Sequence, residues 1–443
     1  MTSKIALTIC IVFIVYLFIN DAKRKPDISW ALWVPLLLIL ILASRPVSQW
    51  LGVGVVLTCP EDYLEGNPLE RNIRIVFIVV GFIILFRRKA NWSNIIKNNK
   101  FIFLYIVYLG LSTLWSDYTF VSFKRWIREL NYLIMVLIIL TESNPLESLK
   151  TILKRLTYVV IPLSIVLNKY FPELSRMYSI SGGEPQYTGV TTHKNALGQL
   201  VLVCGLFIFW NLYIMLRNKS TQLDKKEILI HILFSTMIVT LLITARSATA
   251  IGSMIIGVSI IVFLGRPFIR RNPRQLKYYI VFFAILLITM HFSFDLFNLS
   301  TSTLGRDETL TGRTQIWEEV LKMNTNPFIG TGFDSFWLGE RSQYFWDKYW
   351  WHPNQSHNGY LETYINLGFI GLFLLIAMII AVFKNISKNM LLKNNYDYQI
   401  LRLSIVILFI VMNITEATTK AFMWLIFLLF AIEWTAPPQN TLE

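Results

Sequence analysis

A histidine and an asparagine, His357 and Asn358, stand where a polar, aromatic stretch turns into a long apolar one. The stretch reads HPNQSHNGYLETYINLGFIGLFLLI over residues 352–376. Asparagine is a frequent N-cap, so Asn358 is predicted to begin the helix that follows. The positive end of that helix disfavours a protonated imidazole, and a neutral imidazole can act as a general base. His357 is therefore the candidate catalytic residue, although simple capping of the helix by both residues explains the same pattern.

Two arginines occupy positions that a bound anion would explain. Arg246 ends the run LLITAR between two apolar segments. Because an arginine at the centre of a membrane helix costs ~2.5–3.5 kcal/mol or more, Arg246 is expected at an interface or beside a polar cavity. Arg313 lies in TGRTQIW at the predicted start of an amphipathic helix, where free backbone N–H groups bind phosphates well. Anchoring to lipid headgroups and ordinary loop exposure are the alternatives for the two residues.

The sequence offers little support for a metal site or for disulfides. His352 and His357 are near enough to share a metal ion, but the chain contains no carboxylate pair with DxD spacing. Cys10 and Cys204 fall inside predicted spans and Cys59 stands alone in a loop. We therefore predict no disulfide framework, no structural zinc and no cofactor.

The elements that must position these residues are membrane helices. Apolar residues make up 54% of the chain and charged ones 15%, with a mean hydropathy of +0.52, which excludes an ordinary soluble domain. Apolar windows long enough to cross a ~30 Å hydrocarbon core recur along the chain. The prediction is an all-α, polytopic bundle of about 12 to 13 spans. The candidate spans are 4–19, 30–43, 71–86, 101–115, 120–140, 151–167, 195–216, 227–245, 248–264, 277–294, 359–383, 399–413 and 420–434.

Lysine and arginine orient this bundle, because positive residues in short loops are retained on the cytoplasmic side. The clusters that fall on one face are at 23–25, 87–89, 217–226, 266–274 and 384–393. Lys124, Arg125 and Arg128 come out on the opposite face, against the rule. The net charge of +14 is mainly a signal of topology, and no nucleic-acid partner is predicted. The first apolar run is expected to be retained, because its positive cluster follows it and no cleavage site is evident.

A long loop at 295–358, on the face opposite the basic clusters, divides the chain. It separates a bundle at 1–294 from the last helices at 359–443, within one integrated membrane domain. Its many aromatic residues distinguish it from disordered segments. Helical spacing predicts a short amphipathic helix at 314–323, and NP and GTG are predicted to turn the chain. The loop is either an interfacial aromatic cap or a lid over a glycan.

Four stretches in this order resemble a known family. They are ARSATAIG at 245–252, GRTQIW at 312–317, NPFIGTGFDSF at 326–336 and SHNGYLETYINLGFIGL at 356–372. Together with the long loop they resemble the O-antigen ligase and polymerase family of bacterial envelope glycosyltransferases, most clearly from Thr188 to Ile376. The earlier stretches SRPVSQWLG, EGNPLER and GVTTHKNALG are similar to the branch that polymerises exopolysaccharides.

The resemblance implies a donor glycan on polyprenyl diphosphate, whose anomeric carbon is attacked by an acceptor sugar hydroxyl with inversion and without a metal. By motif, Arg246 and Arg313 would hold the diphosphate and His357 would activate the acceptor. The residues that would support them are Asn358, His193, Lys194 and Arg45. Membrane lipids, the acceptor glycan, chain-length regulators and export proteins are the implied partners.

The implied location is the bacterial inner membrane, with a multi-pass chain and a periplasmic active site. Polymerisation of an exopolysaccharide or O-antigen is the preferred function. Ligation of the finished glycan to lipid A core or protein shares the donor and leaving group, so the motifs hardly separate the two. A flippase for lipid-linked oligosaccharides is the alternative from another class. It would distribute charges over several helices around a central cavity, rather than gather them at one outer face.

Overall fold

The computed structural model describes most of the chain, with several gaps. It describes residues 2–23, 28–53, 66–178, 185–217, 225–271, 311–349, 352–393 and 395–434, and the single residues 278 and 289. The predicted span 277–294, Cys59, the first part of the long loop and the tryptophans at 350 and 351 lie outside these residues.

The described chain is almost entirely helical, so the all-α prediction is confirmed. The helices are α1 Ser3–Ala22, α2 Trp33–Leu42, α3 Val47–Trp50, α4 Pro68–Arg87, α5 Trp92–Asn98, α6 Lys100–Leu111, α7 Thr119–Leu140, α8 Pro145–Tyr170, α9 Pro172–Ser175, α10 Lys194–Arg217, α11 Lys225–Ala245, α12 Ala248–Leu264, α13 Pro267–Arg271, α14 Thr311–Lys322, α15 Gly339–Lys348, α16 Gly359–Leu391, α17 Tyr396–Thr415 and α18 Ala421–Ala431. Short 3-10 helices cover Trp30–Leu32 and Ser112–Trp115. The strands β1 Arg176–Met177 and β2 Gln186–Tyr187 form one small antiparallel hairpin.

Every predicted span except 277–294 coincides with a helix. Six of these helices, α1, α8, α10, α11, α16 and α17, are long and apolar enough to cross a membrane by length and composition. The protein is therefore a multi-pass membrane protein. α18 is buried along its whole length, whereas α1 leaves Ile9 and Val12 more than half exposed. Apolar side chains that are exposed along a membrane helix face lipid, so this contrast separates a central helix from a peripheral one.

The first half of the predicted span 359–383 is broken rather than continuous. Gly368 in α16 has φ 64° and ψ −166°, which no helix contains. The loop from Pro327 to Gly332 fills the break, since the Phe369 N–H donates to the Pro327 carbonyl (2.8 Å) and the Gly332 N–H to the Asn366 carbonyl (2.9 Å). Irregular backbone in a membrane protein is tolerated only where such partners satisfy it. Periodicity could not reveal the break, because the apolar pattern continues through it.

Gly368→Ala is expected to prevent normal folding. A Cβ at Gly368 would lie 2.1 Å from the Phe328 carbonyl carbon, and the backbone conformation alone costs an alanine about 1–3 kcal/mol. Gly252→Ala is the matched control, because a Cβ there meets nothing within 4 Å. Monodisperse yield and thermal inactivation in detergent would measure the effect. Wild-type behaviour of Gly368→Ala would show that the loop does not hold this break.

The described part of the long loop, residues 311–349 and 352–358, folds into a small cap with its own core. The predicted amphipathic helix is confirmed as α14, and α15 follows it. Ile316 and Val320 of α14 are buried with Phe336 and Phe345, and α16 closes this core with Ile365. The cap therefore sits on the beginning of α16, next to the candidate base.

Two of the three basic residues that contradict the topology rule, Arg125 and Arg128, are paired with this cap. Arg128 Nη2 lies 3.1 Å from Asp334 Oδ2, Arg125 Nη1 lies 3.5 Å from it, and Lys420 Nζ lies 2.9 Å from Asp334 Oδ1. Burial would raise the pKa of Asp334, but the charges of Lys420, Arg125 and Arg128 hold it well below its usual range. Arg125 and Arg128 therefore neutralise a cap carboxylate, which explains their place on this face.

Candidate active site

Asn358 caps the start of α16, as predicted, so His357 lies directly before this helix. The Asn358 Oδ1 atom accepts hydrogen bonds from the backbone N–H groups of Tyr360 and Leu361, both at 3.0 Å. His357 itself has φ 51°, a left-handed conformation that costs a non-glycine residue free energy. The surrounding contacts must hold this turn, and they present the imidazole at the helix end.

The centre of the site is a carboxylate that the sequence analysis missed. Glu416 follows α17 directly, and its Oε2 atom lies 3.3 Å from His357 Nδ1. Its Oε1 atom accepts hydrogen bonds from Asn195 Nδ2 (2.8 Å) and Arg313 Nη2 (3.2 Å). Glu416 therefore joins three separate segments of the chain. The only signal in the sequence was a lone acidic residue in the short connection NITEATTK.

Glu416 is held in its ionised form by these neighbours. Burial raises the pKa of Glu416, but the hydrogen bond from His357 and the positive charge of Arg313 outweigh burial and keep that pKa below its usual range. A carboxylate that stays ionised at neutral pH accepts the His357 Nδ1–H bond. In this neutral tautomer, Nε2 is the basic nitrogen of the ring.

Two electrostatic effects of opposite direction act on the His357 imidazole, and the sequence predicted only one of them. The positive end of α16 disfavours a protonated imidazole. The negative charge of Glu416 acts in the opposite direction and stabilises the imidazolium that forms when His357 accepts a proton. A histidine oriented by a carboxylate is a common arrangement of a general base.

Arg313 lies in the first turn of α14, as predicted. Its Nη1 atom donates to the Thr415 carbonyl at 2.7 Å, in addition to the bond from Nη2 to Glu416. The side chain is 23% exposed, so the guanidinium is held by the protein and still reaches the surface of the site. A guanidinium has five N–H donors in a planar fork and can also bind a phosphate oxygen.

Arg246 lies in the turn between α11 and α12, with φ 49°, and not within a helix. Ser247 caps α12 by accepting a hydrogen bond from the Ala250 N–H at 3.4 Å. The first turns of α12 and α10 are packed tightly, because a Cβ at Gly198 would lie 2.9 Å from the Ala250 Cβ. Arg246 is therefore at the same end of the bundle as Asn195 and Glu416.

His193 and Lys194 open α10 beside the same carboxylate. His193 Nδ1 accepts a hydrogen bond from the Ala196 N–H at 3.2 Å, which fixes a neutral ring protonated at Nε2. His193 is exposed, yet reduced hydration of the imidazole lowers its pKa, and Glu416 opposes this shift with its negative charge. Lys194 is the first residue of α10 and adds a positive charge at that helix end.

Arg45 does not reach the site but holds the segment before α10. The guanidinium is buried, and it donates to the Thr191 carbonyl from both Nε and Nη2 at 3.0 Å and to Thr188 Oγ1 at 3.0 Å. Burial lowers the pKa of Arg45. These contacts hold the turn that leads into His193 and Asn195.

The arrangement is suited to a bound anion rather than to a metal. The N-termini of α10, α12, α14 and α16 belong to the same region, and each offers a partial positive charge. Among the described residues, no group of three or more His, Cys, Asp and Glu side chains is arranged to hold a metal ion. The His352 ring is stacked on Trp346, with ring centroids 4.5 Å apart.

Comparisons with known proteins agree with the resemblance seen in the motifs. Residues 232–376 match a family model described as O-antigen ligase, and this range contains all four C-terminal motifs. The exopolysaccharide production protein ExoQ of Rhizobium meliloti (strain 1021) is 21% identical over 307 residues. The alignment covers 66% of this chain and 66% of that relative, so the chain spans just under two thirds of the relative's length. The predicted resemblance is confirmed.

Proposed function

Because residues 232–376 match the O-antigen ligase family, we propose that the chain is a membrane glycosyltransferase acting on a polyprenyl-diphosphate-linked glycan. The observation that carries this proposal is the contact of His357 with Glu416, which Arg313 also binds. This contact brings together a general base, the carboxylate that orients it and a cation that can bind phosphate. The three groups lie at the end of the bundle where several helices begin. Such a set fits transfer of a glycan from a diphosphate leaving group.

In the proposed reaction, a hydroxyl oxygen of the acceptor sugar attacks the anomeric carbon of the donor. His357 Nε2 takes the hydroxyl proton while the bond from the anomeric carbon to the diphosphate oxygen breaks. The electron pair of that bond leaves with the diphosphate, and Arg246 and Arg313 stabilise the developing negative charge. A single displacement inverts the anomeric configuration and requires neither a covalent intermediate nor a metal ion.

Polymerisation of repeat units is the proposed physiological role. The name of the similar protein, an exopolysaccharide production protein, favours a polymerase of this kind. The family description favours the second candidate, ligation of the finished glycan to lipid A core or protein. The two differ in acceptor alone, since the same base, arginines and leaving group serve both.

The glycan made by a deletion strain would test this function. Single repeat units that accumulate on the lipid carrier would support a polymerase, and long chains that remain unattached would support a ligase. Repeat units retained on the cytoplasmic side would contradict both and support a flippase. In a purified system, wild-type protein in nanodiscs should convert a defined lipid-linked repeat unit into a ladder of multiples.

The proposed chemistry requires the cap to face the extracytoplasmic side. A cysteine introduced for labelling must be accessible to the reagent. In the cap, Gln343 is exposed and therefore suitable, whereas the neighbouring Ser342 is buried. In a Cys59→Ser background, Gln343→Cys should react with an impermeant maleimide on intact spheroplasts. Lys393→Cys, in the loop predicted to be cytoplasmic, should react only after permeabilisation. The reverse pattern would overturn the orientation and the proposed access to the acceptor.

A further inference from the structure

A second ion pair near the proposed base and carboxylate joins Lys420, whose side chain is 31% exposed, to the buried Glu362. Lys420 Nζ is 3.1 Å from Glu362 Oε1 and 2.9 Å from Asp334 Oδ1. Glu362 is 3% exposed and sits in the first turn of α16. The proposed reaction does not use either of these two side chains, and an ion pair of this kind is weak evidence for a role in stability.

On one side, this pair holds the turn that carries His357. The Oε2 atom of Glu362 accepts hydrogen bonds from the Ser356 N–H (3.1 Å), the Ser356 hydroxyl (3.0 Å) and Trp337 Nε1 (3.1 Å). Ser356 directly precedes His357, whose left-handed backbone needs external support. Glu362 therefore fixes the position from which the imidazole projects.

On the other side, the pair holds the segment that carries Glu416. Lys420 ends the short connection between α17 and α18 that begins at Glu416. Inside this connection, the Thr418 N–H donates to the Glu416 carbonyl at 2.9 Å, and the Thr418 hydroxyl donates to Asn413 Oδ1 at 2.8 Å. The connection is compact, so a shift of Lys420 is transmitted to Glu416.

The contacts close a ring. They run from His357 to Glu416, along the chain to Lys420, across to Glu362, and through Ser356 back to His357. We propose that Lys420 and Glu362 are positioning residues, whose ion pair sets the distance between His357 Nδ1 and Glu416 Oε2. Neither touches the reacting atoms; together they keep the base in the Nδ1–H tautomer. The inference rests on the proposed function for its kinetic consequence only.

The negative charges of Asp334 and Glu362 explain why this closed set of contacts needs Lys420. Asp334 and Glu362 both contact the same Nζ atom, so their carboxylates are close neighbours. Without Lys420, the two negative charges repel each other at short range in a poorly hydrated place. Arg125 and Arg128 compensate Asp334, as described above, so Glu362 is the carboxylate that moves. Ser356 and His357 then move with it.

The test uses full-length protein in nanodiscs with a defined lipid-linked donor. Lys420→Met and Glu362→Gln are expected to lower kcat on the order of 10²-fold, because small misplacements of catalytic groups have effects of that size. The KM for the donor should stay unchanged, since Arg246 and Arg313 are intact. Lys420→Arg, which keeps the charge, should recover most of kcat.

A spectroscopic readout separates positioning from a structural role. In protein labelled with 15N-histidine, the His357 signal, assigned by its loss in His357→Gln, should show the Nδ1–H tautomer in wild type and a mixture of tautomers in Glu362→Gln. Arg88→Met is the matched control, because it removes the cation that pairs with Glu142, a carboxylate as buried as Glu362, elsewhere in the bundle. It should change neither kcat nor the His357 signal.

Two results would overturn the inference. One is wild-type kcat in folded Glu362→Gln; the other is a loss of kcat with an unchanged His357 tautomer. If Lys420→Met does not fold, Glu362→Gln decides, since glutamine keeps the shape and still accepts the Ser356 and Trp337 bonds. If the wild-type protein transfers no glycan, the proposed function fails, while the tautomer measurement still decides whether the ion pair positions His357.

Discussion

His357→Ala is expected to lower kcat for glycan transfer by roughly 10²–10⁴-fold, the usual contribution of a general base, while the KM for the lipid-linked donor changes little. Donor binding is retained because the proposed phosphate contacts, Arg246 and Arg313, are untouched. The effect would be measured with purified protein and a defined lipid-linked repeat unit, by following product formation at several donor concentrations.

The pH profile supplies the second readout for this base. Glu416 stays ionised well into the acidic range, because its pKa lies below the usual value, so its own protonation does not limit activity near neutral pH. The wild-type rate should therefore fall with acidity, because a general base must be unprotonated to accept the hydroxyl proton. His193→Ala is the control, and it should keep this profile. If His357→Ala keeps near-normal turnover and an unchanged pH profile, another residue is the general base. His193 would then be the next candidate.

Arg313→Ala is expected to abolish detectable transfer, and Arg246→Ala should lower it by on the order of 10²–10³-fold, as the loss of one charge-stabilising donor typically does. The larger effect of Arg313 has a structural reason. Its guanidinium also binds Glu416 and the Thr415 carbonyl, so its loss disturbs the carboxylate that orients His357. Lysine should rescue either position poorly, because it lacks the planar fork that grips a phosphate.

Controls separate the two roles of Arg313. Glu416→Gln removes the charge that orients His357 and should lower kcat with little change in donor KM. Arg341→Ala, which removes a cap arginine that contacts Asp117 and the Phe336 carbonyl, should keep wild-type activity. Donor binding by each variant, measured with a fluorescent lipid diphosphate, would report the phosphate contacts directly. Wild-type transfer by Arg246→Ala or Arg313→Ala would leave anchoring or loop exposure as the better explanation of that arginine.

The amino-acid sequence alone determined the class of the protein and named several candidate site residues. Apolar windows of membrane length recur along the chain, and the periodicity at 314–323 indicated α14, because both features are local. Asn358 was identified as a cap for the same reason, since capping involves only the next few residues. His357, Arg246 and Arg313 were predicted as site residues because they lie in the motifs that resemble the family.

The tertiary structure alone decided which distant residues complete the site. Glu416 lies 59 residues from His357, and no periodicity or spacing relates two residues so far apart. The break at Gly368 was hidden because the loop at 327–332 satisfies it from outside the helix. Arg125 and Arg128 contradicted the topology rule until Asp334 was seen to pair with them. In each case a buried polar or charged group needs a partner, and in a folded chain that partner can come from any segment that the packing brings near.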